Sequence, residues 1–228
     1  MLFYDGELGV GPGHVRGRVS AARAGERREQ IAAVLTMHGY GQSPEGMLRL
    51  TLPVVGEDCV VASLRGPNQH YAAATPAGEE VVYNWGARRH PELNIGLHHE
   101  MVRTVAARLR ARFSIVPERT LLLGFSQAVG LNYRFIGTYP EEAGGVIGIC
   151  GGVPKDWEED KYHRVTSPIL HISRSEDEFF PVPTVRGFAD RLRRHAADVE
   201  FHLLPGGHRF PSRAGPLIRA WMQRVFGA

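Results

Sequence analysis

Short runs of valine, isoleucine and leucine alternate along this chain with longer segments whose apolar residues recur every three or four positions. Runs of the first kind suit strands covered on both faces, and segments of the second kind suit helices that lay one stripe on a sheet. The pattern predicts strands at His14–Ser20, placed at the sheet edge, and at Ile31–Met37, Cys59–Leu64, Thr120–Phe125, Gly145–Cys150, Ile169–Ser173 and Glu200–Leu204. Helices are expected over Leu93–Phe113, with Leu97, Met101, Val105 and Leu109 facing the sheet, and over Ser126–Thr138, Pro183–Ala197 and Ser212–Phe226. Such alternation implies the α/β class: a mostly parallel central sheet with helices on both faces.

Two stretches escape the alternation. Gly66–Pro91 is long for a connection and rather polar, carrying Asn68, Gln69, Glu79, Glu80, Arg88 and Arg89. Val153–Val165 sets Trp157 and Tyr162 among charges. Long loops of this kind are usually functional, so each is expected to form a wall or lid of a cleft. No internal repeat or low-complexity segment interrupts the chain, and its 228 residues fit one domain, 1–228.

Composition narrows the classes. With 43% hydrophobic and 22% charged residues the chain reads as an ordinary globular protein. Lysine occurs only at Lys155 and Lys161, and arginines such as Arg103, Arg108, Arg110 and Arg112 are spread along expected helices. No aromatic-interleaved basic stripe accompanies them, so no nucleic-acid partner is expected. The opening MLFYDGELGV has neither the positive start nor the long apolar stretch of a secretion signal, and no run is long enough to span a bilayer. Cytoplasmic residence without a membrane partner is the expectation. Cys59 and Cys150 fall within or at the end of apolar runs, where a thiol behaves as a small hydrophobe, so no structural disulfide is expected.

The candidate chemistry begins at Gly124-Phe125-Ser126-Gln127-Ala128, where an apolar strand runs straight into a helical pattern. A serine exposed on so sharp a turn needs very small residues two positions before and after it, because strand and helix approach closely there. Gly-x-Ser followed by x-Gly/Ala arises by chance on the order of 0.2 times in a chain of this size, so its position between strand and helix is what gives it weight. A serine hydroxyl also needs a base, and downstream of such a turn the expected order is serine, acid, histidine. Arg174-Ser-Glu-Asp-Glu-Phe-Phe-Pro181 supplies an acidic turn after one strand, with Glu176, Asp177 and Glu178 as alternatives. Pro205-Gly-Gly-His208 supplies a histidine on a glycine turn after the next. Active-site loops belong at these carboxyl ends in an open parallel sheet.

Farther upstream, His38-Gly39-Tyr40-Gly41 follows a strand expected to flank the serine's strand. The backbone amides of Tyr40 and Gln127 are therefore candidate donors to an oxyanion, and His38 is read as a brace for its own loop. His171 and His202 lie within expected strands and His98 and His99 within a helix, so none competes with His208. No set of histidines and carboxylates has metal-ligand spacing, and neither a metal nor another cofactor is expected.

Together the His38–Gly41 turn, the Gly124–Gln127 turn, Asp177-Glu-Phe-Phe-Pro181 and Gly207-His208 resemble the carboxylesterase/phospholipase family of α/β-hydrolases, which includes acyl-protein thioesterases. The resemblance spans roughly residues 30 to 226. It implies the α/β-hydrolase fold, a nucleophile at Ser126, an acid at Asp177 through the acid-x-x-x-proline pattern, and a base at His208. Where the family usually continues the serine turn with two glycines, Ala128 and Val129 stand here, and its apolar acyl-binding loop is not evident. The expected function is therefore hydrolysis of a small, short-chain carboxylic ester or thioester, with Tyr83, Trp85 and Phe179 as candidate substrate contacts. Because the imidazole must be neutral to accept a proton, activity is expected to climb across roughly pH 6 to 8. The contrasting expectation is a catalytically silent member of the fold that binds a ligand or a protein in the same cleft. Oligomeric state is not readable from the sequence.

Overall fold

The computed structural model describes residues 2–6, 13–19, 31–56, 59–72, 80–86 and 89–227. Glu79 and Arg88, assigned above to a cleft wall, and Ser20, the expected end of the first strand, lie outside the described residues.

In chain order the main elements are β1 (Leu2–Gly6), β2 (Gly13–Val19), β3 (Ala32–Met37), α1 (Pro44–Val55), β4 (Cys59–Leu64), β5 (Asn68–Tyr71), β6 (Val81–Asn84), α2 (Pro91–Phe113), β7 (Thr120–Phe125), α3 (Gln127–Thr138), β8 (Gly145–Ile149), β9 (Ile169–Arg174), α4 (Val182–Val185), α5 (Phe188–His195), β10 (Val199–Leu204) and α6 (Gly215–Phe226). Among the described residues, eight strands form one sheet in the order β1-β2-β4-β3-β7-β8-β9-β10. β4, β3, β7, β8, β9 and β10 run parallel, while β2 is antiparallel to both of its neighbours. The strand expected at the edge is thus covered by β1, which the sequence pattern missed.

Every residue of β3, β4, β7 and β8 is buried, as a sheet with helices on both faces requires. Successive side chains alternate between two cores. Leu122 and Val146 join the α2, α3 and α5 side with Leu109, Phe135 and Leu192. Leu121, Leu123 and Ile147 join the α1 and α6 side with Met47, Val54 and Trp221. Both cysteines are buried thiols in this framework.

Helices depart from expectation in three places. The buried stripe of α2 is His98, Val102, Ala106 and Leu109, with His99 beside it, whereas Leu97 is 46% exposed. A strict spacing of four drifts about 40° around the helix at each step, so Leu97 rotates off the sheet, while Met101 and Val105 stay partly buried against the core beside the stripe. The helix expected over Pro183–Ala197 is split into α4 and α5, with Gly187 as the N-cap of the second. A helix absent from the sequence reading, α1, starts with Pro44 in its first turn and is capped by Ser43, whose side chain accepts from the Gly46 amide at 3.1 Å. No helix among the described residues is long and apolar enough to cross a membrane.

Candidate active site

At the carboxyl end of β7 the chain turns through Ser126 at φ 53 and ψ −113, a left-handed geometry that side chains rarely adopt. Hydrogen bonds fix this turn: the Ser126 amide donates to Ile149 O at 2.9 Å, and the Val129 amide donates to Ser126 O at 3.2 Å. Small neighbours make it sterically feasible. A Cβ on Gly124 would come within 2.8 Å of Asn132 Nδ2 and 3.1 Å of the Val129 nitrogen, and one on Gly151 would lie 2.3 Å from Val129 Cβ. α3 therefore rises directly from the turn with the Ser126 hydroxyl at its base.

Toward that hydroxyl points the ring of His208, its Nε2 2.8 Å from Ser126 Oγ. Behind the ring, Nδ1 lies 2.8 Å from Asp177 Oδ2. With a carboxylate as its acceptor, the ring proton is assigned to Nδ1, which leaves Nε2 free to accept from the serine. The other carboxylate oxygen, Oδ1, accepts from the amides of Phe179 and Phe180, each at 2.9 Å. Asp177 is 3% exposed, so these three bonds replace its hydration. Glu178 takes a different part: Oε2 accepts the His208 amide at 3.1 Å, and its own amide and that of His208 hold its carboxyl below the usual range. Of the three acidic alternatives, only Asp177 meets the imidazole.

The His38–Gln42 loop lies against the serine. A Cβ on Gly39 would stand 3.1 Å from Ser126 Cβ. The Gly39 amide donates to Gln42 Oε1 at 2.8 Å and the Gly41 amide to Tyr83 O at 2.9 Å. Between them the Tyr40 amide has no acceptor among the described residues, and neither does that of Gln127 at the start of α3. His38 is fully buried and sits 2.7 Å from Gly39 O through Nδ1, while its Nε2 accepts the Gly66 amide at 2.9 Å. Burial pushes its pKa down, which keeps the ring a neutral brace.

The expected substrate contacts separate. Phe179 is 69% exposed, its ring centroid 4.7 Å from that of His208, at the mouth of the site. Tyr83 is half-buried, bridged to Gln42 through its backbone and covered by the Arg65 guanidinium at 5.2 Å. Trp85 requires correction: it is 1% exposed and packs in the core, with its indole N–H given to His38 O at 2.8 Å, so it has no face to offer a ligand. The Val153–Val165 segment is not a lid. Trp157 is fully buried, and Asp156 ties the segment to α3 through Arg134 at 2.6 Å. Sequence reasoning also passed over the side chains of Gln42, which accepts the Gly39 amide within its own loop, and Gln127, whose partners are set only by the fold; Gln127 Oε1 accepts the Trp85 amide and its Nε2 donates to Gly86 O, both at 2.9 Å. Among the described residues no group of three or more His, Cys, Asp or Glu side chains is placed to hold a metal ion.

The sequence model of the phospholipase/carboxylesterase family matches residues 20–222. Among solved structures, a carboxylesterase from Mesorhizobium loti superposes with a TM-score of 0.71 at 18% identity, over 96% of this chain and 98% of its own. TT1662 from Thermus thermophilus gives 0.71 at 16% identity over the full length of both chains. SOBER1 from Arabidopsis thaliana gives 0.66 at 18% identity, over 86% of this chain and 99% of its own. No curated protein matches the sequence.

Proposed function

The chain belongs to the phospholipase/carboxylesterase family, and from that membership and the contacts around Ser126 we propose that it is a serine esterase cleaving small carboxylic esters or thioesters through an acyl-enzyme. The observation that carries this reading is the unbroken relay Ser126 Oγ to His208 Nε2 to Asp177 Oδ2, with 2.8 Å at the first step and 2.8 Å across the ring.

In the proposed reaction His208 Nε2 takes the Ser126 proton as Oγ bonds to the acyl carbon. The carbonyl oxygen becomes an oxyanion held by the Tyr40 and Gln127 amides, where loss of one such donor typically costs about 2.7 to 4 kcal/mol of barrier. Collapse of this intermediate breaks the bond to the leaving alcohol or thiol, which receives the proton from His208. Water then repeats the sequence on the acyl-enzyme and releases the acid. Asp177 holds the imidazole in the productive tautomer and stabilises its charged form.

A fluorophosphonate probe tests the nucleophile: it should label the wild-type protein and fail to label Ser126→Ala. An unlabelled wild type would favour a silent binding module of the same fold. The polar residues of the Gly66–Pro91 stretch, Asn68 and Gln69 on β5 among them, support short acyl groups, so p-nitrophenyl esters of increasing length should be cleaved fastest at the short end. An optimum at palmitoyl would overturn that preference.

A further inference from the structure

We infer that Trp85 is a positioning residue for the oxyanion hole, one that fixes the spacing between the two segments supplying its amides; the inference rests on the esterase reading above. Those donors, Tyr40 and Gln127, belong to the loop after β3 and to the first turn of α3, and no described hydrogen bond joins the two directly. Trp85 spans them. Its indole N–H donates to His38 O at 2.8 Å, the peptide group that leads into Gly39 and Tyr40. Its own backbone N–H donates to Gln127 Oε1 at 2.9 Å, and the following residue accepts from Gln127 Nε2 at 2.9 Å through Gly86 O. Through this pair of arms the spacing between the amides is tied to the position of Trp85, by its indole on one side and by its backbone and the Gln127 side chain on the other.

The span is anchored rigidly. Trp85 lies in the core with its ring centroid 5.3 Å from that of His38 and 5.4 Å from that of His98 on α2. The bend beyond it is closed to side chains, since Gly86 has φ +149 and a Cβ there would fall 2.3 Å from the Asn94 side chain. Tyr83, two residues earlier, is bridged to Gln42 at the far end of the oxyanion loop. Oxyanion stabilisation depends on donors aimed beforehand at a position about 2.7 to 3.1 Å away, so a slight widening of the pair should slow the acylation step and leave substrate binding almost unchanged.

The test uses Trp85→Phe, which keeps an aromatic ring and removes the indole N–H, and Gln127→Met, which keeps the Gln127 amide and removes both side-chain bonds. Each should lower kcat by roughly tenfold with KM within about twofold, a smaller loss than deleting a donor outright. A boronic acid that forms a tetrahedral adduct on Ser126 should lose affinity by the same factor as kcat/KM, while the pH profile of kcat/KM stays superimposable on the wild type because the His208–Asp177 pair is untouched. Wild-type kcat in both variants, or a lower kcat with unchanged boronate affinity, overturns the inference while leaving the esterase reading intact. If circular dichroism shows Trp85→Phe unfolded, Gln127→Met alone decides by the same criteria. A wild type that neither labels nor hydrolyses overturns both readings together.

Discussion

Asp177 reaches His208 with one carboxylate oxygen and spends the other on its own turn: Oδ2 is 2.8 Å from Nδ1, while Oδ1 accepts two amides. This division separates tautomer control from folding. In Asp177→Asn the remaining oxygen stays with the Phe179 and Phe180 amides, so the new NH2 faces Nδ1 and forces the ring proton to Nε2, where it cannot accept from Ser126. A fall in kcat on the order of 10⁴ is expected with little change in thermal midpoint. Asp177→Ala should add a stability loss of about 1 to 3 kcal/mol, because two amides lose their acceptor. Steady-state rates and melting curves of the two variants separate the effects; near-wild-type turnover in Asp177→Asn would exclude the proposed relay.

Glycine is required at one side of the serine turn and dispensable at the other. Gly124→Ala places a methyl within 2.8 Å of Asn132 Nδ2 and 3.1 Å of the Val129 nitrogen. Overpacking there should cost about 1 to 3 kcal/mol and displace the Ser126 hydroxyl, lowering kcat. Ala128, fully buried without such a clash, should tolerate Ala128→Gly with a loss of about 1 kcal/mol and activity within a few-fold. Urea unfolding beside kcat measurements checks the asymmetry.

Phe179 supports little of the fold, being 69% exposed, yet its ring stands 4.7 Å from His208. Phe179→Ala should therefore change stability by no more than about 0.5 kcal/mol. Its expected signature is a several-fold higher KM for esters with bulky leaving groups and an unchanged kcat for a methyl ester. An equal drop in kcat for every substrate would mean that the ring orients the imidazole and does not meet the substrate.

Much of this arrangement is legible in the chain because strands buried on both faces leave continuous apolar runs. β4 and β7 have the bounds that the pattern predicts, and Ser126, Asp177 and His208 each follow the carboxyl end of such a run. Periodicity served less well where local signals conflict. Pro44, Gly46 and Pro53 disguise α1, although Pro44 occupies its first turn and Pro53 its last. Trp85 shows the deeper limit: an aromatic residue in a polar loop looks like a ligand contact, and only the fold places its indole against His38 O. The Gln127 side chain acts through partners distant in sequence, the Trp85 amide and Gly86 O, so no spacing rule could reveal it.

Acid should unfold this protein through histidines that have no part in the proposed chemistry. Burial pushes His98 and His171 down to about 3, and burial assisted by Arg134 pushes His99 down to about 4. His171 lies 2.6 Å from the Tyr133 hydroxyl, and His98 lies 3.1 Å from Asn132 Oδ1, both deep in the core. An unfolded histidine titrates near 6.5, so above that pH both states are neutral and stability is unaffected. Below it the unfolded chain takes up protons that the folded chain refuses, and stability falls as pH drops, down to about 4 for His99 and about 3 for the other two. Each group contributes about 1.4 kcal/mol per pH unit within its window, or about 4 kcal/mol per unit for the three together. The urea midpoint should therefore be nearly level from pH 8 to 7 and drop steeply from pH 6 to 5. His171→Gln, which keeps a polar partner for Tyr133 but cannot be protonated, should reduce that slope by roughly a third; a midpoint level from pH 7 to 5 in the parent protein would contradict the account.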